Sequence, residues 1–511
     1  VSHTVSDHIG DRPEDWTAPG AALVHSAATD VVPPLAELGR VHIMGIAGSG
    51  MSALARILLE RGLTVSGCEA RDSITVAGLR ALGATVHIGH SPVHLDEADT
   101  LVFTTAINPS HEELVAARTR GMRVLRRAAA LAAALEDRRC IAVAGTHGKT
   151  STTSLLVVAA QACGADPSFA IGGNLYETGK NAHLGTGAFA VVEADESDGS
   201  FLLTRPSAAV ITNVEADHLE NHGDLEGIFR AFELFVDRID PDGFVLACAD
   251  DRGARRMADY ARGTGRTVRT YGTQPDADVR VSEIVTMPDA VEFTVTGVRD
   301  ESPRRVRIGA LIGAHMALNG TAALVLADHL GLDLDLAAKA WAGFGGVHRR
   351  FESHGEGGGV RVFDDYAHHP TEIAASLTAA KQALAGSSAR GSHPAPGGRL
   401  IAVFQPGTYS RTQTFAREFA EAMAIADIAV VLDVFPAREE PIPGVTGETI
   451  SRLIDLPADR VVYEPHYDAV PERIAALARR GDLVVTMGIG NVYLLCDEIR
   501  AACARALGGA A

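Results

Sequence analysis

Along most of the chain, short unbroken apolar runs alternate with longer stretches in which apolar residues return at helical spacing. The runs suit strands buried on both faces, and the longer stretches suit helices packed across them. Repeated in this order they predict stacked β-α units and largely parallel sheets, an α/β fold. Three blocks separate. The first predicts strands over 40–46, 64–67, 85–88 and 100–105, with a glycine turn at 48–50 and a helix over 51–61, and closes near Asp137. The second predicts strands over 140–144, 188–193, 208–214 and 243–247 and ends near Phe344. The third begins around Gly345 and predicts strands over 360–363, 400–404, 428–433 and 483–487. The expected domains are therefore 36–139, 140–344 and 345–511, preceded by an extension over 1–35.

Composition narrows the classes. The extension mixes Asp, Pro, His, Ser and Thr and reads as disordered, and 385–398, AGSSARGSHPAPGG, reads as an exposed loop. With 511 residues, 46% of them hydrophobic, the chain can fill several cores. Its 64 acidic against 46 basic residues give a formal charge of -18, which argues against a nonspecific nucleic-acid binder but leaves room for a local basic cleft. Cysteines 68, 140, 163, 248, 496 and 503 form no C-x-x-C pair, so neither a disulfide framework nor a zinc module is indicated. No apolar run reaches membrane-spanning length and the first residues lack the basic-then-apolar order of a signal peptide. A cytoplasmic location without membrane insertion is expected.

The strongest chemistry lies at Ala142-Val143-Ala144-Gly145-Thr146-His147-Gly148-Lys149-Thr150-Ser151. An apolar strand breaking into a glycine turn and Lys-Thr presents backbone N–H groups to phosphate, a lysine to its terminal oxygens and a hydroxyl to magnesium. The spacing is shorter than G-x-x-x-x-G-K-[ST], because Val143 stands five before Gly148. Acids end two later strands, at 193–198 and 212–218, where α/β sheets bind ligands and where magnesium would find oxygen donors. Asn319 can offer an amide to adenine, although an ordinary polar helix residue is the simpler reading. In the first block, Gly45-Ile46-Ala47-Gly48-Ser49-Gly50 suits a diphosphate at a helix start, with Glu69 ending the next strand as a ribose-binding acid. Ala47 departs from G-x-G-x-x-G, so a diphosphate ligand other than NAD fits at least as well. The third block carries the paired guanidinium groups of Arg349 and Arg350, the dense ionisable run 364–372 and the patch 405–411.

In order, GIAGSGMS, TTAINPSHEEL, AGTHGKTSTTS, EADESDGSF, VITNVEADHLE, Arg349-Arg350-Phe351 and DDYAHHPTEI resemble the bacterial Mur ligases over nearly all the chain after the extension. The resemblance implies a Rossmann-like first domain for a uridine diphosphate sugar, a central P-loop ATPase-like domain for ATP and Mg2+, and a Rossmann-like C-terminal domain that closes to admit an amino acid. The implied activity joins L-alanine to the lactyl carboxylate of UDP-N-acetylmuramate through an acyl phosphate, releasing ADP and phosphate, in peptidoglycan precursor synthesis. Lys149, Glu193, His218, Arg350 and Asp365 are the implied catalytic set. Gly145, Thr146, His147, Gly148, Lys149, Thr150 and Ser151 would cradle ATP, joined by Asn319 near adenine and by Arg350 and Asp365. Thr150 and Glu193 would bind one magnesium, and Glu193 with His218 a second. Gly45, Ala47, Gly48, Ser49, Gly50, Glu69, Thr104, Thr105 and Ser197 fall to the sugar nucleotide, and His369 and Arg411 to the muramyl and amino-acid side.

Departures from the family pattern are Ala47, Met316 after His315, and Gly407-Thr408 after Gln405-Pro406. No lysine occurs over 219–238, so no carbamylated lysine is expected there. Competing readings are a ligase that adds a preformed tripeptide to the same sugar nucleotide, a nicotinamide-dependent oxidoreductase resting on the first glycine turn, and a non-catalytic nucleotide sensor. No nucleic-acid partner is expected, and a homodimer stays open.

Overall fold

Strands whose residues are nearly all apolar need cover on both faces, and helices returning across a parallel sheet supply it. That is the arrangement in the computed structural model, which describes residues 31–104, 107–389, 398–437 and 439–508. The chain forms two compact units: Val1–Val281 with Val295–Pro303 and Leu318–Ala340, and Ser282–Thr294 with Arg304–Ala317 and Trp341–Ala511.

The first unit holds two sheets. One contains β1 (Val41–Met44), β2 (Val65–Glu69), β3 (Thr85–Ile88), β4 (Thr100–Phe103) and β5 (Arg123–Arg126), all parallel in the order β3-β2-β1-β4-β5. The order reverses between β1 and β4, and a crevice for ligand opens at the carboxyl ends of such a pair. The turn 45–50 leaves β1 there and Thr104 leaves β4. The other sheet is built around β6 (Arg139–Ala144). Its neighbours are β9 (Phe189–Glu193), which follows β7 (Ser168–Ala170) and β8 (Ala182–His183), and β10 (Pro206–Ile211). Beyond β10 lie β11 (Phe244–Cys248) and β12 (Thr267–Gly272). Because β6, β9 and β10 run parallel, the loops that follow them gather at one sheet edge.

The second unit contains most of β13 (Val279–Thr286) and β14 (Ala290–Thr296) and all of β15 (Arg304–Gly309). Its main sheet runs β16-β17-β21-β18-β19-β20, from β16 (Glu352–Gly357), β17 (Val360–Asp365), β18 (Leu400–Phe404), β19 (Ile428–Val431), β20 (Val461–Tyr463) and β21 (Leu483–Met487). Only β16 is antiparallel to its neighbour in this sheet. In β18, Leu400, Ala402 and Phe404 enter one core while Ile401 and Val403 enter the other, so an unbroken apolar run is what this strand requires.

Differences from the sequence expectation have local causes. The strand expected over 40–46 stops at Met44 because Gly45 turns with φ 61°, and the helix starts at Ser49 rather than 51. The strand expected over 208–214 stops at Ile211, since Thr212 and Asn213 bond to the phosphate loop instead. The loop expected over 385–398 begins as helix, Pro370–Ala389. Residues 390–397, 1–30 and Thr105 lie outside the described residues. Strands β13, β14, β15 and β16 were not anticipated: Ser282, Glu283, Glu292 and the ESHGEG run of β16 interrupt the apolar pattern.

Candidate active site

The phosphate loop is shaped by two glycines in conformations that side chains resist, Gly145 at φ 130° and Gly148 at φ 83°. Gly148 caps the helix Lys149–Ala162, so the positive end of that helix's dipole faces the loop. A Cβ on Gly148 would come within 2.6 Å of Asn319 Oδ1, which places the Asn319 amide directly over the loop. The end of β10 braces the other side. Thr212 Oγ1 donates to the His147 carbonyl at 2.6 Å, Asn213 Oδ1 accepts from His147 N–H at 2.7 Å, and Thr146 Oγ1 accepts from Glu215 N–H at 3.0 Å.

Lys149 Nζ meets both Glu196 oxygens, at 2.7 and 3.0 Å, and donates to the carbonyls of Gly145 and Thr146 at 2.6 and 3.1 Å. Burial favours the neutral amine, yet the carboxylates of Glu196, Asp195 and Glu193 outweigh it and lift the Lys149 pKa above its ordinary value. Burial likewise opposes charge on Asp195, but Lys149 and Arg127 prevail and hold it below the usual carboxylate range. The lysine is therefore charged and aimed into the loop, with Glu196 standing where a phosphate would bind.

Glu193 ends β9 beside Thr150, whose hydroxyl donates to Oε2 at 3.4 Å; Oε1 accepts from Gly172 N–H at 2.9 Å. A hydroxyl and a carboxylate side by side are hard oxygen donors and fit magnesium. His218 adopts φ 51° and its ring lies 3.6 Å from Asp217 and 3.4 Å from Glu220. Ser151 is buried in the first helical turn, and Ser197 donates its N–H to Asp195 Oδ1 at 3.0 Å.

The first glycine turn is tied to this sheet. Ser49 Oγ donates to the Gly172 carbonyl at 2.9 Å, and Asn181 Nδ2 donates to the Ser49 carbonyl at 2.7 Å. Glu69 accepts from Ala47 N–H at 3.0 Å, so this acid shapes the turn itself. A Cβ on Gly50 would touch the Arg127 guanidinium at 3.0 Å, which sets that cation at the turn. Gly48 caps the helix Ser49–Glu60, and Thr104 lies one residue beyond β4.

In the second unit, Asp365 ends β17, accepting from Ser376 Oγ at 2.7 Å and from Ala367 N–H at 3.2 Å. Burial pushes its carboxyl up to about 6 against the opposing pull of Arg350. Arg350 lies 5.2 Å from the centre of the Tyr366 ring. Its neighbour Arg349 is committed to structure, donating to Asp364 at 3.3 Å and to the Gly488 carbonyl at 2.8 Å. His369 is buried with its ring edge toward Phe415, 5.3 Å between centres, and Arg411 sits on the short helix Tyr409–Thr414. The Gly407 departure has a packing reason: a Cβ there would meet Ile489 Cγ1 at 2.5 Å.

Sequence reasoning passed over Asp195, Glu196, Thr212, Asn213, Asn181 and Arg127 as individual contributors. The acidic run 193–198 was visible, but which of its members faces Lys149 depends on how the chain turns after β9.

Sheet order and loop together define a phosphate-binding α/β nucleotide enzyme. Family profiles agree along the chain: Mur ligase family, catalytic domain, over residues 40–139; Mur ligase middle domain over 143–327; and Mur ligase, glutamate ligase domain, over 349–490. The chain belongs to the Mur ligase family. It is 51% identical over 469 residues to the UDP-N-acetylmuramate--L-alanine ligase of Acidothermus cellulolyticus, covering 91% of this chain and 95% of that protein. Identity to the enzyme of the same name from Saccharopolyspora erythraea is 50% over 488 residues, 95% and 96% of the two chains. Among solved structures, the UDP-N-acetylmuramate-alanine ligase of Thermotoga maritima superposes with a TM-score of 0.74 at 25% identity, over 92% of this chain and 99% of that one. A murein peptide ligase from Psychrobacter arcticus gives 0.66 at 26% identity, over 93% and 99%.

Proposed function

We propose that this chain is an ATP-dependent amide-forming ligase that joins L-alanine to the lactyl carboxylate of UDP-N-acetylmuramate in peptidoglycan precursor synthesis. The observation that carries the reading is the phosphate loop with Lys149 charged and Thr150 beside Glu193, in a chain half identical to relatives bearing that enzyme name. Residues 36–139 take the sugar nucleotide, 140–344 the ATP, and 345–511 the amino-acid side.

A carboxylate does not condense with an amine in water without activation. A lactyl carboxylate oxygen accepts the terminal phosphoryl group of ATP, forming an acyl phosphate and ADP. The amine of L-alanine then attacks the acyl carbon and loses a proton, and the C–O bond to phosphate breaks. Lys149 releases Glu196 and turns to the transferred phosphoryl oxygens, where charge stabilisation contributes most. Magnesium held by Thr150 and Glu193, with His218 serving a second ion, would neutralise further charge on those oxygens. Arg350 and Asp365 serve the nucleotide, Asn319 the adenine, and His369 and Arg411 the muramyl and amino-acid side.

Purified protein given UDP-N-acetylmuramate, ATP and Mg2+ should release phosphate with L-alanine and yield the alanyl product by mass. Turnover only with a preformed tripeptide would assign the chain to the recycling branch instead. No described helix is long and apolar enough to cross a membrane.

A further inference from the structure

Behind the first glycine turn, at the margin of the apolar cluster of Met44, Cys68, Leu95, Leu101 and Leu114, the sheet carries an unusual set of donors. Cys68 Sγ lies 3.1 Å from Glu113 Oε2 and 3.1 Å from His90 Nδ1, and His90 Nδ1 lies 3.2 Å from the same Glu113 oxygen. These three atoms form a nearly equilateral triangle. A tetrahedral zinc ion, with bonds of about 2.0 Å to nitrogen or oxygen and about 2.3 Å to sulfur, holds its ligand atoms roughly 3.3–3.5 Å apart. His42 stands near two of these donors, because single ligand atoms of His42, Cys68 and Glu113 all lie within 4.8 Å of one another.

His42 separates a metal site from a mere hydrogen-bond network. It is fully buried, its Nδ1 is hydrogen-bonded to Ser66 Oγ at 2.9 Å, and its Nε2 has no partner. A buried polar atom left unsatisfied costs about 1–3 kcal/mol, so packing alone gives no reason for it. A ring with one nitrogen fixed by hydrogen bonding and a free lone pair on the other is how metal-ligating histidines are oriented. Glu113 is oriented likewise: its other oxygen accepts from Ser91 N–H at 3.0 Å and faces His94 Nδ1 at 3.3 Å.

We propose that Cys68, His90, Glu113 and His42 form a binding site for a tetrahedral, thiolate-accepting divalent cation of the Zn2+ class, distinct from the magnesium position at the phosphate loop. On binding, the Cys68 thiol loses its proton to solvent, its S–H···Oε2 hydrogen bond is broken, and sulfur and oxygen each bond the metal. The ion ties the end of β2 to the loop after β3 and to the helix Glu112–Thr119. That end of β2 carries the turn: the Cys68 carbonyl accepts from Ile46 N–H at 3.1 Å and Glu69 holds Ala47 N–H. Metal occupancy therefore stiffens the sugar-nucleotide turn without entering the reaction.

The test uses untagged full-length protein stripped with a chelator. Titration with Co2+ should saturate at one equivalent with a thiolate-to-cobalt charge-transfer band that Zn2+ abolishes, and Zn2+ should raise the thermal midpoint. Cys68→Ser should lose the band, and His90→Gln should weaken Co2+ binding at least tenfold. A folded, stripped protein that shows no such band overturns the proposal, as does a band that survives Cys68→Ser. Should Cys68→Ser fail to fold by circular dichroism, unchanged Co2+ affinity in His90→Gln is the decisive negative result.

Discussion

Lys149 and Glu196 hold each other in a largely buried ion pair, so removing one strands the other. An uncompensated charge in such a setting costs about 3–5 kcal/mol, whereas removing both is far milder. Lys149→Met should therefore lower both stability and turnover, while Lys149→Met with Glu196→Gln recovers the urea midpoint but leaves turnover at least ~10²-fold down. Stability that fails to return in the double variant would show the pair is not the coupled unit described. Asp365 gives a pH signature. Its folded value of about 6 exceeds its ordinary 3.8, so the folded chain holds the extra proton between them. The stability this contributes is present below about 4 and lost as pH rises through about 6. Asp365→Asn should thus be more stable than the parent at pH 8 and converge with it near pH 4, as read by urea unfolding. Lys149, Thr150 and Glu193 were legible because a glycine turn before Lys-Thr and an acid ending a strand are local patterns. The Cys68 cluster was not, since its donors come from β1, β2, the loop after β3 and a helix after β4 and meet only when the sheet order is known.

Burial alone did not make an element legible: β3, largely exposed, matches its expected bounds, while β7, buried throughout, was not expected. The strands β3, β18 and β21 match their expected bounds, and the ones that ran long in the reading, such as β10, end where polar residues leave the ladder for the site. Strands β13 to β16 escaped because partial exposure lets polar residues into alternate positions, which weakens the apolar run. The loop after β18 shows the same dependence on neighbours. Gly407 pairs with Phe435 and is roofed by Ile489, so any side chain here would press on the contact between two loops. Gly407→Ala should destabilise by about 1–3 kcal/mol, and Ile489→Ala in the same chain should return part of that loss. Additive losses in denaturant melts would refute the contact.

For the molecule as a whole, the three-block reading anticipated the α/β sheets in order, but not the physical line that joins two of them inside the first unit. Ser49 in the first glycine turn bonds Gly172, and the Gly172 N–H bonds Glu193, which sits beside Thr150. Occupying the turn should therefore change nucleotide affinity, with a coupling of about 1–3 kcal/mol, and Asn181→Ala, which loosens Ser49, should reduce it. Calorimetry of an ATP analogue with and without the sugar nucleotide reads this directly; equal coupling in both proteins would dismiss the line. The Lys149–Glu196 pair carries a lesson for inhibitor chemistry. An anionic compound must evict a carboxylate before it can claim the lysine, so much of its attraction is spent on exchange. A neutral compound that spans the glycine loop and leaves the pair closed escapes that competition, and it needs no charge that would hinder its passage across a cell membrane.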